Sequence, residues 1–185
     1  KMYWKGKYNP YSKEQIQKLL VQMIKVVPRY CRIMRVMREI PPEFLVAGTI
    51  RIDLRKEIEK EMREKGLKLE EIRWREVGFA MRRGALIGGD LKFKVTKYKA
   101  NEGDEYFLEI VNEDDVLFGL LRLRIVGKKA IIRELHVYGP SLKLNARGKL
   151  GQHTGLGKWL MSSAEDIAKK DSCEKIRIIS GVGVR

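Results

Sequence analysis

Apolar residues at Ile16, Leu19, Leu20, Met23 and Ile24 recur at helical spacing behind Ser12, a natural N-cap, so the pattern predicts a docked amphipathic helix over residues 13–26. A second helix is predicted from Asp53, its cap, through Lys65, with Leu54, Ile58 and Met62 on one face and Gly66 as its stop. Residues 72–78, Ile72-Arg73-Trp74-Arg75-Glu76-Val77-Gly78, alternate apolar and charged, which predicts a strand whose wet face carries Arg73 and Arg75. Four consecutive strands follow at 91–100, 105–112, 116–125 and 129–138, joined by polar turns such as Asn101-Glu102-Gly103-Asp104 and Gly127-Lys128. This antiparallel meander leads through a loop to a helix at 155–170 and a last strand at 175–180, an α+β class of fold. The doubly basic, glycine-rich segment 81–90 marks a junction, dividing a smaller α/β region at 1–84 from a domain at 85–185. No repeat or low-complexity tract interrupts the pattern.

Composition adds a partner class. The hydrophobic share of 44% argues against disorder. No apolar run approaches the roughly 20 residues that span a bilayer, and the first residues lack a signal-peptide pattern, so a soluble, cytoplasmic protein without a membrane partner is expected. Cys31 and Cys173 lie far apart, with no Cys or His at metal-ligand spacing, which predicts no metal site and no disulfide framework. Lys and Arg number 39 against 24 Asp and Glu, a net charge of +15, with +10 carried by residues 1–84 and +5 by the remainder. A polyanion is the expected partner, engaged mainly by the N-terminal region. Arg32, Arg35 and Arg38, three residues apart, form one patch if helical and alternate faces if extended. With Tyr30 or Trp74 for stacking, Arg73 and Arg75 suit RNA phosphates and bases. Pairing with local carboxylates is the alternative for each of these arginines.

Gln152-His153-Thr154-Gly155-Leu156-Gly157 resembles the Q/R-x-x-G-x-G/A loop with which GNAT-superfamily acetyltransferases hold the pyrophosphate of acetyl-CoA. Glycines at 155 and 157 remove side chains where a phosphate must approach, and the helix that begins at Lys158-Trp159 turns free backbone N–H groups toward the anion. A plain surface turn before a helix would show the same short Gly-x-Gly. The flanking strands, 130–138 upstream and 175–180 downstream, give it the setting of the acetyl-CoA half of a GNAT fold.

Further segments resemble one family within that superfamily. They are Trp4-Lys5-Gly6-Lys7-Tyr8-Asn9-Pro10-Tyr11, Arg35-Val36-Met37-Arg38-Glu39-Ile40-Pro41, the 72–78 segment, Gly119-Leu120-Leu121-Arg122-Leu123-Arg124, Arg133-Glu134-Leu135-His136-Val137-Tyr138-Gly139 and Ile179-Ser180-Gly181-Val182-Gly183. Together they are similar to the catalytic third subunit of Elongator, a tRNA wobble-uridine acetyltransferase with stand-alone archaeal and bacterial members. The resemblance implies a two-part enzyme, a radical-SAM domain with an iron–sulfur cluster followed by a GNAT domain, the two clamping the tRNA anticodon stem-loop. By this resemblance the chain covers only the second part, from the tail of the radical-SAM region. The sites for S-adenosylmethionine and the cluster would then be absent, and a tyrosine-rich piece that helps hold acetyl-CoA would follow. Gly151 stands where the family usually carries an aromatic residue.

The resemblance further implies acetyl-CoA beside Glu134, Leu135, His136 and Val137, with the pyrophosphate on Gln152, His153, Gly155, Leu156, Gly157 and Lys158. Glu134 and His136 are the candidate catalytic side chains, as proton acceptors or as groups that orient water. His136 as a satisfied interior residue is the alternative, and His153 shapes the loop. Arg32, Arg35, Arg38, Arg73, Arg75, Arg82 and Arg83 would contact tRNA. The implied function is carboxymethyluridine formation, with tRNA-triggered acetyl-CoA hydrolysis as a partial reaction. The radical-SAM domain would be a partner, and other Elongator subunits would be partners only in a member that does not stand alone. A conventional protein-lysine or small-amine N-acetyltransferase shares the CoA loop, but +15 disfavours a basic peptide substrate. A non-catalytic CoA sensor that gates tRNA binding remains the third reading.

Overall fold

The computed structural model describes residues 2–38, 40–48, 54–85, 87–139 and 155–181. They form two compact units, Lys1–Trp74 and Arg75–Arg185. The division falls before the expected junction near residue 84, because Val77 and Ala80 join the core of the second unit and a bridge pairs Glu76 with Leu117.

In the first unit, helix α1 (Lys13–Lys25) starts at a complete capping box: Gln15 N–H donates to Ser12 Oγ, and Ser12 N–H donates to the Gln15 side chain. Its buried face is Val21 and Ile24, while Leu19 and Met23, expected on the apolar face, stay exposed. Helix α2 (Leu54–Glu64) buries Leu54, Ile58 and Met62, one residue per turn. It ends in a Schellman motif: Leu67 N–H donates to Met62 O, Gly66 N–H donates to Arg63 O, and Gly66 takes φ +63°. The cap expected at Asp53 lies outside the described residues. Ile58 and Met62 are fully buried against Val21, Ile24 and Leu69, and each contributes roughly 1.5–3 kcal/mol of hydrophobic stabilisation.

The strand expected over 72–78 is absent. Helix α3 (Ile72–Arg75) and helix α4 (Val77–Arg82) occupy that stretch. The reason is Glu71, a fully buried carboxylate that accepts the N–H groups of Arg73 and Trp74 and so caps α3. The same carboxylate accepts from Ile33 N–H at 3.1 Å and from Arg55 Nη2 at 2.6 Å, while Arg55 Nη1 donates to Ile33 O at 2.7 Å. With Ile72 N–H bonded to Cys31 O, Glu71 and Arg55 join α2, α3 and the segment around Ile33.

The second unit is a five-stranded sheet in the order β1-β2-β3-β4-β5: β1 (Lys92–Ala100), β2 (Gly103–Val111), β3 (Leu117–Val126), β4 (Lys129–Val137) and β5 (Lys175–Ile178). The first four form the expected antiparallel meander, and β5 runs parallel to β4. Helix α5 (Leu156–Lys170) lays Leu156, Leu160, Ala164 and Ala168 on one sheet face, with Leu108, Ile110, Leu121, Leu123, Ile125 and Ile132. Gly119 permits that approach, because a Cβ there would meet Leu160 at 3.2 Å and His136 O at 3.4 Å. Tyr106 Oη donates to Asp171 at 2.7 Å and ties β2 to the end of α5.

The opposite face is ionic. Arg75 pairs with Glu109 at 2.5 Å, Arg124 and Arg133 converge on buried Glu105, and Arg122 pairs with Glu134. A bulge sets this pattern: Leu123 faces Ile132 and Arg122 faces Glu134, so Arg133 is the extra residue.

Replacing Glu71 by Gln removes the charge opposite Arg55 and an acceptor for backbone N–H groups. The expected loss is about 3–5 kcal/mol in denaturant unfolding. A variant as stable as the wild type would show that Glu71 does not hold this unit together.

Candidate acyl-binding cleft and basic surface

The outer edge of β4 changes partner midway. Lys129 to Ile132 pair with Lys175 to Ile178 of β5, and Ile179 N–H adds a last bond to Ile132 O. From Arg133 onward β4 has no strand on that side among the described residues, although its inner side stays paired to β3 through Val137 opposite Gly119 and Tyr138 N–H to Phe118 O. Alternate N–H and C=O groups along this edge are therefore available to an external amide.

Helix α5 starts beside the same edge. Gly155, at φ +100°, is an N-cap without a side-chain bond, and the first turn holds no acidic residue. The N–H groups of the first turn retain their hydrogen-bonding capacity and the positive end of the helix dipole. A Cβ on Gly157 would lie 3.8 Å from Val137 Cγ2, an ordinary contact, so packing does not demand glycine there. Lys158 is exposed in the first turn, and Leu156 is buried. Gln152 and His153 lie outside the described residues.

The bulge at Arg133 separates the four β4 candidates into two pairs. Leu135 and Val137 face α5, and Glu134 and His136 face the ionic side. Glu134 accepts from Arg122 Nε at 2.6 Å, and His136 Nε2 lies 3.1 Å from Glu134 Oε1. His136 is 54% exposed and stacks on Tyr138, ring centroids 6.0 Å apart, so it is not the interior residue considered from sequence. The arrangement is a carboxylate held by an arginine and adjoining an accessible imidazole. Sequence reasoning missed Arg122, whose signal was a charge inside an apolar strand that pairs with the strand carrying Glu134.

The arginines divide by environment. Arg35 and Arg38 are exposed on an irregular segment and line an open depression with Val36 and Met37, so they do not form the helical row. Arg32 is half-buried and engaged. Arg73 is half-buried, with Nη1 3.4 Å from Met34 O of that segment. Arg82 is exposed, its guanidinium 5.3 Å from the Phe79 ring centroid, and Arg83 is half-buried. Arg75 corrects the expectation of a wet-face arginine: its side chain is 3% exposed and pairs with Glu109 and Asp115. Desolvation and these carboxylates withdraw it from any external phosphate. Among the described residues no group of three His, Cys, Asp or Glu side chains is placed to hold a metal ion, and no helix is long and apolar enough to cross a membrane.

Residues 1–64 match the Radical_SAM C-terminal domain family. The chain is 37% identical to the tRNA uridine(34) acetyltransferase of Dehalococcoides mccartyi over 99% of its own length and 43% of that protein. It is 37% identical to Elongator complex protein 3 of Saccharomyces cerevisiae over 98% of its length and 36% of the relative. The solved structure of the archaeal Methanocaldococcus infernus Elp3 with an N-terminal deletion superposes with a TM-score of 0.84 at 33% identity, covering 99% of this chain and 46% of that one. The chain thus spans about two-fifths of the length of the curated relatives it matches.

Arg75→Ala removes the buried guanidinium that faces the Glu109 carboxylate and is expected to cost about 3–5 kcal/mol of stability. Arg35→Ala and Arg38→Ala are expected to stay within about 0.5 kcal/mol of wild type. Chemical denaturation of the three variants checks this division, which fails if Arg75→Ala behaves as the surface pair does.

Proposed function

Because the chain belongs to the family of Elongator complex protein 3 and tRNA uridine(34) acetyltransferase, we propose that it binds acetyl-CoA in a GNAT-type cleft and serves wobble-uridine modification of tRNA. The observation that carries this reading is that, among the described residues, β4 has no outer strand partner after Ile132 and runs beside the start of α5, whose first turn holds no acidic residue and whose N-cap Gly155 makes no side-chain bond. The amide-rich pantetheine arm is matched by the free backbone groups after Ile132, with Leu135 and Val137 as its apolar wall. The pyrophosphate is matched by the first N–H groups of α5 and by Lys158. Gln152 and His153 complete that loop by family resemblance.

Acetyl-CoA supplies an activated acetyl group, and the chain's own residues bind it, orient it and handle a proton. The imidazole of His136 suits proton acceptance, and Glu134 suits its orientation. S-adenosylmethionine and an iron–sulfur cluster are implied by the radical-SAM relationship, and none of the residues assigned a role above is proposed to hold them. Arg35, Arg38 and Arg82, exposed, and Arg32, Arg73 and Arg83, partly so, supply cations for tRNA. The excess of +10 over residues 1–84 supports that assignment.

Loss of the acetyl-CoA thioester, followed with and without tRNA, tests the reading. Turnover that needs tRNA is the expected result, and turnover onto added amines without tRNA would replace it with a conventional N-acetyltransferase. Gly157→Glu places a carboxylate among the first N–H groups of α5. It is expected to weaken acetyl-CoA binding at least tenfold in calorimetry, with the thermal midpoint little changed.

Affinity for tRNA should fall steeply between about 50 and 200 mM salt, and Arg35→Ala and Arg38→Ala should each lower the log–log slope by about 1. A flat salt dependence would remove the basic surface from the assignment.

A further inference from the structure

We propose that Arg122 is a positioning residue, which clamps the Glu134 carboxylate so that His136 is held with its proton on Nε2 and its Nδ1 presented as the proton acceptor. The inference deepens the acyl-CoA reading above and rests on it for the identity of the reaction.

Arg122 stands directly opposite Glu134 in the β3–β4 ladder and donates from Nε to Glu134 Oε2 at 2.6 Å. The arginine is itself held in place, its guanidinium 4.9 Å from the Phe107 ring centroid and Nη1 3.4 Å from Tyr98 Oη. An arginine held at Nε and Nη1 and over an aromatic ring leaves the carboxylate little freedom. The other oxygen, Oε1, lies 3.1 Å from His136 Nε2. An ionised carboxylate only accepts, so the imidazole nitrogen it faces is the one that carries the proton. Stacking on Tyr138 holds the ring plane, and Nδ1 remains as the acceptor.

The neighbouring arginines of the ionic cluster are committed elsewhere. Arg124 and Arg133 both pair with Glu105 Oε1, and Arg75 pairs with Glu109. Among the described residues Arg122 is the arginine paired with Glu134 and, through it, bears on His136. In thioester hydrolysis the oxygen of water bonds to the acetyl carbon and its proton passes to Nδ1. As the C–S bond breaks, that proton goes to the departing thiolate, giving acetic acid and free thiol.

The test pairs Arg122→Lys, which keeps the charge but not the planar donor, with Glu134→Gln. The His136 ring nitrogens are read by nitrogen-15 NMR of histidine-labelled protein; the chain holds two histidines, and His136→Gln assigns the signals. In wild type the neutral ring carries its proton on Nε2. In both variants the tautomer population should relax toward that of N-acetylhistidine in the same buffer. In parallel, kcat for acetyl-CoA hydrolysis should fall about 10- to 100-fold in both, with KM unchanged. Should Arg122→Lys melt early, Glu134→Gln, at the more exposed end of the pair, carries the comparison. A tautomer population that stays at the wild-type value overturns the relay, whatever the turnover. A population that shifts as expected, in a protein that never hydrolyses acetyl-CoA, sustains the relay and sinks the acyl-CoA reading instead.

Discussion

One extra residue in β4 decides what the sheet can do. Without the bulge at Arg133, strict alternation after Ile132 would send Glu134 and His136 toward α5 and turn Leu135 and Val137 onto the ionic face. Two charge-bearing groups would then press against Gly119 and Leu160, where the close approach of helix and sheet leaves no room for them. With the bulge, Ile132, Leu135 and Val137 all serve the apolar side, and Arg133, Glu134 and His136 all serve the polar one. The candidate acid–base pair and the proposed binding wall therefore share four consecutive residues of one strand, Glu134 to Val137, without competing for the same space.

The two units are built on the same device, a buried carboxylate that accepts from several donors. Glu71 accepts from one arginine and three backbone N–H groups, and Glu105 from two arginines. Such groups are costly to bury alone, and the donors gathered on them are what makes them tolerable. The excess of basic residues has a structural share as well: Arg55, Arg75, Arg122, Arg124 and Arg133 are bound up in internal pairs. The exposed cations on the first unit come from the remainder.

Periodicity made the long elements legible. Ser12 and the i, i+4 stripe of α2 announced two helices, and four apolar-rich runs divided by polar turns announced the meander. The 72–78 segment departs from the expected strand because only its first four residues, Ile72 to Arg75, alternate, and they do so by accident. Its buried residues are Ile72, Arg75 and Val77, which do not share the face of one strand, and the deciding signal was the cap Glu71, a glutamate rather than one of the usual capping residues. Treating Arg75 as a wet-face arginine followed from that error. The phase slip from Ile132 to Leu135 was visible in the letters but carries meaning only once the β3 register is known. Arg122 escaped for the same reason, since its role depends on a partner twelve residues away across a hairpin.

The strand order also sets the sequence of assembly. Four strands joined by hairpins close short loops, so each can zip onto the last at little entropic cost. The fifth cannot join until the chain has run through α5 and returned parallel to β4, a closure of more than forty residues between Ile132 and Lys175. That final seam ends at Ile132, beyond which β4 has no outer strand partner among the described residues. The region assigned to the acyl group is thus the last to be sealed during folding and the first to open in native-state fluctuations. Slow amide exchange should accordingly run through β2 and β3 and fade toward the end of β4.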